Sequence, residues 1–234
     1  MRDTRIRVLL HPKLEAHEQK AAIEAAERFS RFGLRVESIS GPDPKLWMDL
    51  CRKRLYELAY KEGSSVLYGD EPLGRPHYFA RVPHDGAILA GLTPHQIFHS
   101  ADGRMSEMEG FNMFYVGAVV SAHGFRPGPG APYRKSGATS AEEGAEAVSL
   151  CLTHELGHSL LGIKEVNISL MRDAPKRYDE RGNCLTAGCI MQNVTDYVAF
   201  LRSSGAAKID FCAGCADLLR GRVSEVTYYG AGGA

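Results

Sequence analysis

The sequence predicts an α/β (α+β) fold: a mixed twisted sheet backed by two helices, the second of them long, followed by an irregular C-terminal subdomain. Three observations carry this expectation. Strand-like and helical patterns alternate over roughly the first half of the chain. A long, strongly apolar helical run follows at 141–161. Beyond it the sequence becomes irregular and cysteine-bearing.

Residues 5–10 alternate weakly and read as a first strand. Residues 12–32 read as an amphipathic helix with Leu14, Ile23, Ala26 and Phe29 on one side and Gly33 as its terminator. Residues 34–39 alternate with period two, the mark of a half-buried strand. Asp43-Pro44 places an N-cap before a proline at the first helical position, and a helix is expected from there to about Lys61. Residues 78–82, 86–90 and 110–121 suit a sheet, with Val119-Val120 pointing to burial on both faces. Residues 124–140, rich in glycine, proline and serine, form a loop. Ser140-Ala141-Glu142-Glu143 then has the spacing of a capping box, and Gly162 is a plausible stop for the helix it starts. Glycines 230, 232 and 233 predict a frayed tail.

With 234 residues, the chain is one large domain or a domain with a small appendage. The expected division is 1–162, sheet and long helix, and 163–234, the cysteine-bearing subdomain. Formal net charge is zero and the sequence pI is about 7.1, which argues against a nucleic-acid or anionic-membrane partner. No apolar stretch approaches the roughly 20 residues that span a bilayer. The run Val8-Leu9-Leu10 is too short for a signal-peptide core, so a cytoplasmic location is expected. Of six cysteines, four have metal-like spacing: Cys184-x4-Cys189 and Cys212-x2-Cys215. In a reducing compartment these read as zinc thiolates rather than disulfides. Cys51 and Cys151 read as buried thiols that pack like small hydrophobes.

The long helix carries His154-Glu155-Leu156-Gly157-His158, an H-E-x-x-H run. Residues four apart lie on one helical face, about 40° past a full turn, so two imidazole nitrogens can meet at one zinc ion. Glu155 is turned about 100° from His154 and is placed to reach a water on that metal. The flanking apolar residues, among them Val148, Leu150, Leu152, Leu156 and Leu160, predict a buried helix. Buried histidine and glutamate need partners, and a metal supplies one. This is most of a zinc-hydrolase site.

The order H-E-x-x-H, C-x4-C-x-M, C-x2-C resembles the archaemetzincins, a family of metzincin-type zinc metallopeptidases. The similarity is strong after residue 140 and weak over the first hundred residues; upstream of the long helix, 91–98 and 118–121 look like the family's sheet segments. The resemblance implies a metzincin-like fold with a peptide or protein as substrate. It implies a zinc-bound water as nucleophile, His154 and His158 as catalytic zinc ligands, and Glu155 as general base. Met191 is implied to lie in a Met-turn beneath that zinc. Cys184, Cys189, Cys212 and Cys215 are implied to hold a second, structural zinc.

The family motif continues x-x-G-x-x-H, with a cysteine directly after the last histidine; this chain departs from it. Glycine arrives one residue late, at Gly162, and no histidine follows position 158. Glu165, third after that glycine, is the first candidate for the missing ligand. Asn183, directly before Cys184, is the positional alternative, although a neutral amide is a poor ligand. Asp173, Asp179, Glu180 and His123 are further candidates. The rival expectation is a catalytically impaired zinc-binding scaffold or partner-binding module. A zinc-ribbon nucleic-acid binder is disfavoured by the neutral charge.

Overall fold

Hydrophobic strands at the start and middle of the chain pair into one sheet. The structure, a computed structural model, describes residues 5–40, 66–68, 87–101, 104–113, 117–127, 137–161, 177–179, 181–205 and 208–229. Strands β1 (Arg5–Leu10), β2 (Arg35–Ser40), β4 (Ile88–Thr93), β7 (Gly110–Met113) and β8 (Gly117–Ser121) form a five-stranded sheet in the order β2-β1-β4-β8-β7. The first four in that order run parallel, and β7 pairs antiparallel with β8 at the edge. A second sheet, β3-β5-β6, is built from β3 (Val66–Tyr68), β5 (Gln96–Ala101) and β6 (Arg104–Met108).

Side chains alternate across a strand, and the core shows it. Ile6, Val8, Leu10, Ile88, Ala90, Leu92, Ala118 and Val120 join the main core. Their neighbours Leu9, Leu89 and Val119 face the other way and are buried as well. The expected double burial at Val119-Val120 is therefore present, as a central parallel strand requires. Helices α1 (Ala16–Glu27) and α2 (Ala141–Leu161) lie against one another on the first face, α1 over β1, β2 and β4, α2 over β8 and β7. One core cluster continues from these helices through Ile190, Met191, Ile209 and Leu219.

Three expectations change. The first helix is shorter than 12–32. It starts after Glu15, whose backbone N–H is met by the Glu18 carboxylate at 2.9 Å, and a separate 3-10 turn follows at Ser30–Phe32. Gly33 closes that turn at φ 91°, a conformation that favours glycine. The expected strand 110–121 is a hairpin, not one strand, because β7 folds back on β8. The region after 162 is only partly irregular: it carries helices α3 (Tyr197–Ser204) and α4 (Ala213–Tyr229). The expected helix at 43–61, the strand at 78–82, Cys51, Gly162 and the glycine tail lie outside the described residues. No helix among the described residues is long and apolar enough to cross a membrane.

Two histidines meet at the carboxyl ends of neighbouring parallel strands. His11 follows β1 and His95 follows β4, and their Nε2 atoms are 3.3 Å apart. The Lys13 backbone N–H donates to His11 Nδ1, so His11 donates from Nε2 to His95. Burial, with His95 and Lys13 nearby, lowers His11 to about 4. Burial, with Lys13, Arg126 and His123 nearby, lowers His95 to about 4. The unfolded chain therefore binds more protons between the usual imidazole value and about 4, and stability in that window rises with pH. It is complete above about 6.5 and is lost as pH falls towards 4. The limiting slope is about 1.4 kcal/mol per pH unit for each ring, and partial exposure of His95 holds it below that. We expect His95→Gln to flatten the rise of the urea midpoint between pH 4.5 and 6.5. An unchanged slope would show that the pair does not control acid stability.

Candidate metal centres

Helix α2 delivers the histidines because its start is fixed at the surface and its end is buried. Ser140 Oγ accepts from the Glu143 backbone N–H at 3.1 Å, one half of the expected capping box. The other half differs: the Glu143 carboxylate accepts from Thr139 and from Arg202 of α3. Arg202 and Thr139 hold the Glu143 carboxyl down at about 2. Further along, buried Phe125 and Ala138 crowd Gly144, where a Cβ would stand 2.2 Å from the Phe125 carbonyl oxygen. From Ala147 to His154 every side chain is buried.

His154 and His158 lie one above the other, with ring centroids 4.5 Å apart and Nε2 atoms 2.9 Å apart. His154 Nδ1 is 2.8 Å from the Ile190 carbonyl oxygen, which only accepts. Nδ1 therefore carries a proton, and Nε2 is the nitrogen that faces His158. Tyr197 packs edge-on against the same ring at 6.1 Å. Two zinc–nitrogen bonds of about 2.0–2.1 Å span about 3.3 Å at the tetrahedral angle. The pair stands close to that span, and the donor set fits zinc. Asn183 Oδ1 stands 3.2 Å from His158 Nε2 on the same side.

Met191, fully buried, packs against the helix at Gly157. A Cβ on Gly157 would meet its Sδ at 2.2 Å, so a larger residue there would push the Met191 side chain aside. Glu155, half-buried, points to the sheet instead. Asn112 of β7 donates from Nδ2 to Glu155 Oε2 at 2.6 Å. The carboxylate thus sits between the histidine face and the sheet edge, as its 100° helical offset requires.

The four cysteines converge. Their Sγ atoms all lie within 4.8 Å of one another, and Cys184–Cys212 and Cys189–Cys215 are each 3.7 Å apart. Four zinc–sulfur bonds of about 2.3 Å give tetrahedral edges of about 3.8 Å, whereas a disulfide needs about 2.05 Å. The thiols are free, and their spacing fits a tetrahedral thiolate site. Backbone N–H groups of Thr186 and Cys212 donate to Cys184 and Cys189 Sγ at 3.4 Å each. The hydrogen bond shared with the Cys215 thiol and the one from the Cys212 backbone hold Cys189 down at about 5, while Cys215 is pushed up. Burial pushes Cys184 up as well, so Cys189 alone among the shifted thiols is held low. Arg31–Asp210 and the Phe29, Phe32, Phe211 rings fasten this corner to the end of α1.

No family model and no curated protein matches the sequence. Among solved structures, an archaemetzincin from Methanopyrus kandleri superposes with a TM-score of 0.58 at 17% identity, over 94% of this chain and 96% of that one. The fold is archaemetzincin-like. A zinc-dependent peptidase from Methanocorpusculum labreanum is a further neighbour, with a TM-score of 0.47, 14% identity and coverage of 92% and 99%.

Within the archaemetzincin-like fold the structure brings together His154 and His158, sets Met191 against Gly157 of the same helix, and separately gathers Cys184, Cys189, Cys212 and Cys215. Glu165, Asp173 and Glu180 lie outside the described residues. Asp179 stands behind Asn183, its oxygens occupied by Asn183 and the Arg181 backbone. His123 is exposed in the 3-10 turn after β8, beside His95. The residue that sequence reasoning missed is Asn112. Its signal was there: an asparagine inside an apolar strand pattern, where strands disfavour it.

Proposed function

We propose that this chain is a zinc-dependent metallopeptidase, with zinc held by His154 and His158 and with Glu155 as general base. The observation that carries the reading is the convergence of the two Nε2 atoms at 2.9 Å, with Glu155 at the next helical position. The archaemetzincin-like fold supports it. Bound there, zinc supplies a Lewis acid that polarises a carbonyl and makes water acidic.

The chain's own residues do the rest. Ile190 holds the His154 ring in one tautomer. Asn112 fixes Glu155 through one oxygen, leaving the other to take a proton and return it to the departing amine. Strand β7 ends the described sheet beside Glu155, and an extended peptide pairing with that edge is laid across the site. Cys184, Cys189, Cys212 and Cys215 hold a second zinc that serves structure.

The test pairs metal analysis with cleavage of a peptide library. The wild type is expected to carry about two zincs, one per donor set, and to cleave the library in a chelator-sensitive way. His154→Ala should lose one zinc and all cleavage. A wild type that holds both metals and cleaves nothing would overturn the peptidase and leave the scaffold reading.

A further inference from the structure

The chain has no histidine after His158, yet a third polar atom reaches the pair. Asn183 Oδ1 is 3.2 Å from His158 Nε2, and Asn183 is buried. Which end of this amide faces the imidazoles is decided by Asp179. Asn183 Nδ2 lies 3.0 and 3.2 Å from the two Asp179 oxygens. A carboxylate accepts and does not donate, so the NH2 end must face Asp179 and the oxygen must face the histidines.

The loop that presents this oxygen is closed on itself. Asp179 Oδ1 also accepts from the backbone N–H of Asn183 at 2.8 Å and of Arg181 at 2.9 Å. Asp179 N donates to the Asn183 carbonyl at 2.8 Å, and Gly182 turns the chain at φ 84°. Asn183 is then pinned from its other side by Cys184, and Ile190, the partner of His154, by Cys189. Both supports of the histidine pair are thus one residue from a cluster cysteine.

We infer that the amide oxygen of Asn183, turned by the Asp179 carboxylate, is the third protein arm of the site made by His154 and His158. The inference rests on the reading that those histidines hold zinc. Three lone pairs, two imidazole and one amide, meet there. The amide oxygen is neutral and a weaker donor than imidazole. Hydrogen bonds from Nδ2 to the carboxylate draw electron density towards Oδ1 and strengthen it, as outer partners do at metal sites. The donor set is therefore uncharged, with one compensating negative charge behind it.

The test measures metal affinity of the full-length chain, by competition with a chromogenic chelator for zinc and by cobalt absorption. Thiolate charge-transfer bands report the cysteine cluster, and d–d bands without them report the histidine site. Asn183→Ala and Asp179→Asn should each weaken the histidine site by about 10–100-fold, with the thiolate bands unchanged. Asn183→His should tighten it and shift its d–d bands. Glu165→Ala should change nothing. Asn183→Ala and Asp179→Asn that both bind within twofold of wild type would overturn the inference, as would a loss in Glu165→Ala. A wild type that takes up one metal only, with thiolate bands, would overturn the zinc reading itself.

Discussion

Cys189→Ser should cost the chain one zinc and most of the order of residues 181–229. Cys189 ties the cluster to its second cysteine pair: its Sγ is 3.7 Å from Cys215 and accepts the Cys212 backbone N–H. The strand-like bridge to Asp210 passes through it as well. Structural zinc sites bind with about 10–16 kcal/mol in small peptides, comparable to the whole stability of a domain at about 5–15 kcal/mol. Here the sheet, α1 and α2 supply most of the shared core, so the loss should be partial: α3 and α4 loosen while β1, β4 and β8 persist. Hydrogen exchange resolves the two regions, and metal analysis counts the zinc. Full zinc content and unchanged exchange in the variant would rule out a structural thiolate site.

Glu155→Gln should lower turnover by about 10²–10⁴-fold with zinc content unchanged, the range that a positioned general base contributes. The substitution keeps size and removes only the basic oxygen. Asn112→Ala should lower kcat by a smaller factor with little change in KM, since Asn112 touches Glu155 rather than substrate. The double variant should be no worse than Glu155→Gln alone, because the two residues act as one unit. Independent, multiplying losses would place Asn112 elsewhere in the reaction, and a fully active Glu155→Gln would end the general-base assignment.

Much of this was legible without coordinates. Helix α2 spans Ala141–Leu161, as capping and apolar pattern predict, and the histidine face follows from 3.6 residues per turn. The four cysteines are recognisable from spacing because thiolate metal sites draw their ligands as closely spaced pairs. Other features were not legible. A run of strand-forming residues at 110–121 does not say where it folds back, since β7 and β8 share one composition and differ only in partner. Asn112 stands out in its apolar strand, but the pattern does not say that it bonds Glu155, 43 positions away.

The third arm shows the same division. Counting from Gly162 puts Glu165 forward, since spacing along a chain is all that a sequence offers there. Glu165 lies outside the described residues, and among those described the structure sets Oδ1 of Asn183, the positional alternative, beside His158, 25 residues on. Local pattern determines helices, faces and ligand types, because those depend on neighbours within a turn or two. Which distant side chain closes a site depends on how a loop is pinned, here by Asp179 and by Cys184, and only the folded chain decides that.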